Sequence, residues 1–92
     1  MKTYKTVYEL LSDPKRWTKD ANARDSEGSP VRHDSDEAVC WCLWGAVKKV
    51  IPLHDRTRVH ADIHKLIEYG VVQFNDTHTH AEVLALVKEA GI

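Results

Sequence analysis

The stretch Asp36-Glu37-Ala38-Val39-Cys40-Trp41-Cys42-Leu43-Trp44-Gly45-Ala46-Val47-Lys48-Lys49-Val50 decides how this chain is read. Residues 38–47 carry no charged or hydrogen-bonding side chain beyond the two thiols and two indoles. A helix that is apolar all round is buried on most sides. Asp34 or Ser35 suits its cap, and Asp36 and Glu37 put negative charge at the positive end of the helix dipole. Lys48 and Lys49 fall at the opposite end, and Pro52 stops the run. The expectation is a central helix over 36–50. Glycine inside a helix costs about 1 kcal/mol relative to alanine, so Gly45-Ala46 reads as a point of close backbone approach. Trp41 and Trp44 are expected in the core, and Cys40 and Cys42 as buried thiols pointing to opposite sides of the helix.

Working outward, residues 3–13 read as a helix with Tyr4, Val7, Tyr8 and Leu11 on one face, Thr3 as cap and Asp13-Pro14 as stop. Trp17 would cover the core beside it. Residues 19–36 have little periodicity. Asp25-Ser26-Glu27-Gly28 is a turn signature, so a small hairpin is expected near 22–32. Residues 56–69 read as the next helix, with Val59, Ile63, Leu66 and Ile67 as its apolar stripe, Asp55 as cap and a left-handed Gly70 as its end. Residues 71–74 would be extended or a connector. Thr79-His80-Ala81-Glu82 is a capping box that opens a last helix to Ala90, closed by Gly91. The fold class is therefore mainly α: about four helices around 36–50, with a small β-hairpin.

The chain has 92 residues, with 13 Lys+Arg against 14 Asp+Glu and a formal charge of −1. That length suits one small globular domain over 1–92. The near-neutral charge argues against a protein that coats nucleic acid. No apolar run is long enough to span a bilayer, and no apolar signal segment follows Met1, so a cytoplasmic protein without a membrane role is expected. Two cysteines are too few to staple a secreted mini-protein.

Several quoted pieces occur together in order: Trp17-Thr18, Ala23-Arg24-Asp25 with Gly28 and Val31, Cys42-Leu43-Trp44-Gly45-Ala46, Asn75-Asp76, and a terminal helix. The pattern resembles a family of small bacterial and phage proteins classed as a domain of unknown function. The resemblance covers roughly residues 15–91. Phe74 stands where that family often has tryptophan. The resemblance implies a fold shared by bacteria and their mobile elements, and it implies no activity.

Arg24 and Asp25, with Asn75 and Asp76, form the candidate polar cluster. They are read as a staple between two turn-rich segments, with a ligand or partner surface as the alternative. The expectation is that Arg24 or Asp25 reaches the 74–76 region or the start of a neighbouring helix. His60 and His64 are four apart on one helix face, the spacing of a zinc or nickel half-site. Their ordinary reading is a pair of boundary histidines. Asp34 and Asp36 are read as helix-start charges. Lys2, Lys5, Lys15, Arg16 and Lys19, interleaved with Tyr4, Tyr8 and Trp17, would make a weak nucleic-acid face, or simply a solvated surface. No nucleophilic triad, P-loop or dinucleotide fingerprint occurs. The favoured function is a non-enzymatic binding or regulatory protein with a protein partner and no cofactor, such as a phage or mobile-element accessory that inhibits a host system. The alternatives are a metal-binding domain or metal-dependent enzyme using His60 and His64, and a weak nucleic-acid binder.

Overall fold

The computed structural model describes residues 3–92. Lys2, counted in the basic face above, lies outside the described residues. Five α-helices and a three-stranded sheet follow in the order α1 (Val7–Leu11), β1 (Ala23–Arg24), β2 (Pro30–Val31), β3 (Cys40–Trp41), α2 (Leu43–Val50), α3 (Leu53–His64), α4 (Val71–Thr77) and α5 (His80–Ala90). The chain is mainly α with a small antiparallel sheet ordered β2-β1-β3.

The hairpin forms where expected, with Ala23 opposite Val31 and Arg24 opposite Pro30. Asp25 closes its turn, accepting from the amides of Glu27 (3.0 Å) and Ser29 (2.9 Å). Gly28 takes a φ of 84° there, which glycine adopts without penalty.

The central helix starts later than its sequence suggests. Cys40–Trp41 form β3 rather than helix, pairing with β1 on the side opposite β2. An apolar run of this length fits a buried strand as well as a helix. The free edge of β1 decides: the amides of Val39 and Cys42 donate to the carbonyls of Arg24 and Asn22. Helix α2 then begins at Leu43, with Cys42 as its N-cap. Asp34 and Asp36 are consequently not helix-start charges. Asp34 pairs with Arg32 at 3.0 Å, and Asp36 lies exposed in a turn.

The close approach at Gly45 is real. A β-carbon there would run into the Asn22 carbonyl, so the partner is the segment entering β1 rather than another helix.

Helix α1 is shorter than 3–13 and is capped by Thr6, whose hydroxyl accepts from the Glu9 amide at 3.0 Å. Its amides at Val7 and Tyr8 donate to the carbonyl of Ile92. At its other end Arg16 donates to the carbonyls of Leu10 (2.7 Å) and Glu9 (3.0 Å). Helix α3 begins three residues before the predicted 56 and stops at His64, not Tyr69. Asp55 lies inside its first turn, and the N-cap is Pro52, with no side-chain cap bond. Gly70 has a φ of −61° and opens α4, so it does not close α3 in a left-handed conformation. The 71–74 segment is the first part of α4. Helix α5 agrees with its sequence signature: both capping-box bonds form between Thr79 and Glu82, and Gly91 is left-handed.

One apolar cluster joins these elements, with Leu10, Leu11, Leu43, Val47, Ile63, Val83 and Val87 among its fully buried members.

Candidate functional site

Residues 17–20 leave the short 3-10 turn Pro14–Arg16 and run past β3, where the Thr18 amide donates to the Trp41 carbonyl at 3.0 Å. This strap has few apolar residues of its own and is held by side chains from elsewhere. Asn75, on α4 and 0% exposed, accepts on Oδ1 from the Trp17 indole N–H (2.6 Å) and the Leu43 amide (3.0 Å). Its Nδ2 donates to the Thr18 carbonyl (3.0 Å) and to Asp76 Oδ1 (3.1 Å). Asp76 Oδ1 also accepts from the Asp20 amide (3.0 Å), where Asp20 stands at a φ of 66°. From the other side, Arg24 donates to Thr18 Oγ1 (3.2 Å), to the Lys19 carbonyl (3.1 Å) and to the Gly28 carbonyl (2.9 Å).

The structure thus brings Arg24, Asn75 and Asp76 onto one strap; Asn75 and Asp76 also bond to each other, whereas Arg24 grips the strap from the other side. Arg24 reaches the 74–76 region only through Thr18, whose carbonyl accepts from Asn75. Asp25 stays with its own hairpin turn. Sequence reasoning left Thr18 and Asp20 out of the cluster; the polar side chains grip the Thr18 carbonyl and hydroxyl and the Asp20 amide. Beside the strap a recess of about 400 Å³ is lined by Asp20, Asn22, Cys42, Val72 and Asp76. Cys42 is 2% exposed. Its sulfur accepts from the Gly45 amide at 3.3 Å, and burial pushes its thiol pKa up. A reactive cysteine needs the reverse, a stabilised and accessible thiolate.

A second feature lies on α4, α5 and the connection after α3. An open groove of about 320 Å³ is lined by Leu66, Ile67, Phe74, Ala85 and Leu86 together with His78, Glu82 and Glu89. His78 stacks on Phe74 with ring centroids 3.8 Å apart, and Tyr69 stacks on His78 at 6.1 Å. In the neutral ring, His78 Nδ1–H donates to the Phe74 carbonyl (2.8 Å), leaving Nε2 to accept from the Tyr69 hydroxyl (3.3 Å). Leu66 and Tyr69 remain 39% and 36% exposed. The Thr79 amide holds the Glu82 carboxyl below its ordinary pKa, which keeps it ionised.

The family model described as Family of unknown function (DUF6197) matches residues 2–91. The chain belongs to DUF6197. No curated protein and no solved structure matches it. The match takes in the whole strap, the hairpin and the groove of this DUF6197 chain.

The remaining candidates of this DUF6197 chain are placed as follows. His60 and His64 lie side by side on α3 with ring centroids 4.4 Å apart, and Trp44 and His60 meet in a T-shaped contact at 5.1 Å. Among the described residues no group of three or more His, Cys, Asp or Glu side chains is arranged to hold a metal. In the N-terminal basic face, Arg16 is turned onto α1 and the Tyr4 ring, and Lys19 lies over the Trp17 ring. Trp41 is buried, its indole N–H donating to the His33 carbonyl at 3.0 Å. No helix among the described residues is long and apolar enough to cross a membrane.

Proposed function

We propose that this chain is a non-enzymatic binding protein that engages a protein partner through the face built by α4, α5 and the connection after α3. The observation that carries this reading is the open groove beside the Tyr69–His78–Phe74 stack. Exposed aliphatic and aromatic side chains next to a concave apolar surface are the usual anchors of protein interfaces. The polar cluster around Asn75 supports the same reading, because its hydrogen-bonding capacity is spent on holding the strap. The free thiols of Cys40 and Cys42 suit a reducing, cytoplasmic compartment. A regulatory accessory protein of a bacterium or phage, acting by occupying a host protein, fits this kind of surface.

The test is cross-linked affinity capture from the encoding cells with wild type, Leu66→Asp and Tyr69→Ala. Leu66 and Tyr69 are partly exposed, so both variants should fold with unchanged circular dichroism. A protein captured by wild type, lost with both variants and rebound after purification supports the reading. Capture that ignores both variants, or no reproducible capture, refutes it.

A second reading rests on the His60–His64 pair, whose rings are close enough to chelate one transition-metal ion with open positions left for water. Zinc or nickel binding measured by calorimetry, lost in His64→Ala, would support it.

A further inference from the structure

The groove has a charge pattern as well as a shape. Its lining residues belong to α4, α5, the connection between α3 and α4, and, at His78, the link between α4 and α5. It therefore offers no strand edge, and the recognition mode it suits is a helix laid into a groove between helices. Its lining holds two carboxylates, Glu89 and Glu82, the latter also accepting from the Thr79 amide, and the His78 ring. The two carboxylates stand seven residues apart on α5, on one helical face and about 10 Å apart along its axis. Leu86 lies between them and is buried. Leu66 and Phe74 line the same groove.

We infer that the groove takes a helical segment of a protein partner carrying two basic residues about two turns apart, with a bulky apolar residue between them. This rests on the binding-protein reading above and names the partner's chemistry. The apolar residue fills the space between Leu66, Phe74 and Leu86 and supplies most of the affinity, as buried central anchors do. The two cations meet Glu82 and Glu89, and such charge pairs set register, specificity and association rate more than affinity. A phosphate backbone would meet two carboxylates there, so this face disfavours nucleic acid.

The experiment is selection from a library of randomised helical peptides displayed on phage, against the whole protein. Clones are then tested on Glu89→Lys and Leu66→Asp. Both positions are exposed, and unchanged melting temperatures confirm the folds. Enriched clones should carry Lys or Arg two turns apart around Leu, Phe or Met. Their synthetic peptides should bind wild type at least about tenfold more tightly than either variant, and more weakly as salt rises. Replacing the peptide's matching basic residue by Glu should weaken binding to wild type and restore it to Glu89→Lys, which a merely structural effect would not do. Enrichment without basic pairs, no enrichment, or indifference to Glu89→Lys overturns the inference. So does concentration-dependent dimerisation abolished by Glu89→Lys, which would make a second copy the occupant. If the peptides fail while cellular capture is still lost with Leu66→Asp and Tyr69→Ala, only the partner chemistry is wrong. If both fail, the binding reading falls with it.

Discussion

Replacing Asn75 with alanine leaves the Trp17 indole N–H and the Leu43 amide without their acceptor, and the Thr18 carbonyl without its donor. Each buried polar group left unpaired costs about 1–3 kcal/mol. Asn75→Ala should therefore destabilise the protein by about 3 kcal/mol or more in urea unfolding. Trp17→Phe removes one of the same bonds, so the double variant should lose less than the sum of the two. Arg24→Ala should also destabilise, since it frees the strap and the hairpin turn together. Asp25→Ala should affect only the turn and cost less. A larger loss for Asp25→Ala would contradict this geometry. His33 gives a pH effect of definite sign. Burial, then Lys48, lowers its pKa from the ordinary 6.5. The unfolded chain thus binds that proton first as pH falls below about 6.5, and stability falls with it. His33→Gln should flatten this slope in melting temperatures measured between neutral pH and pH 5.

Among the elements, α2 illustrates how an end is decided from a distance. Its first amide is held by Asn75, 32 positions away, and β3 competes for the residues before it. No local signature marks Leu43 as the start. Gly45, by contrast, announces its role by costing helix stability. Gly45→Ala should displace the segment at Asn22 and destabilise by about 1–3 kcal/mol, the usual range for overpacking, whereas an unstrained glycine-to-alanine change in a helix would stabilise. An increase in melting temperature would disprove the contact. On α3, the double variant His60→Ala and His64→Ala should leave the melting temperature nearly unchanged, because His64 is exposed and His60 half-buried. Collapse of the fold on this change, with loss of bound zinc, would favour the metal reading.

Across the whole molecule, the two ends of the described chain meet: the Ile92 carbonyl accepts from the amides opening α1, and Gly91 closes α5. Removing residues 91–92 should lower stability by about 1–2 kcal/mol through loss of the helix cap and these bonds, readable as a lower urea midpoint. The sequence by itself determined the features whose cause lies within a few residues. These are the Thr79–Glu82 box, the left-handed Gly91, the turn at Asp25 and Gly28, and the apolar stretch ending in α2. Each follows from a backbone group and a side chain close enough in sequence to find one another in any compact chain. The tertiary structure alone decided that 40–41 are strand, that α3 ends before Leu66, that 71–77 are helix, and that Arg24 and Asn75 share the strap without touching. It also created the groove, whose walls come from Leu66, Phe74 and Leu86. The physical reason is the same in each case: the competing local conformations are close in energy, and the choice goes to whichever lets distant backbone donors, acceptors and apolar faces be satisfied together.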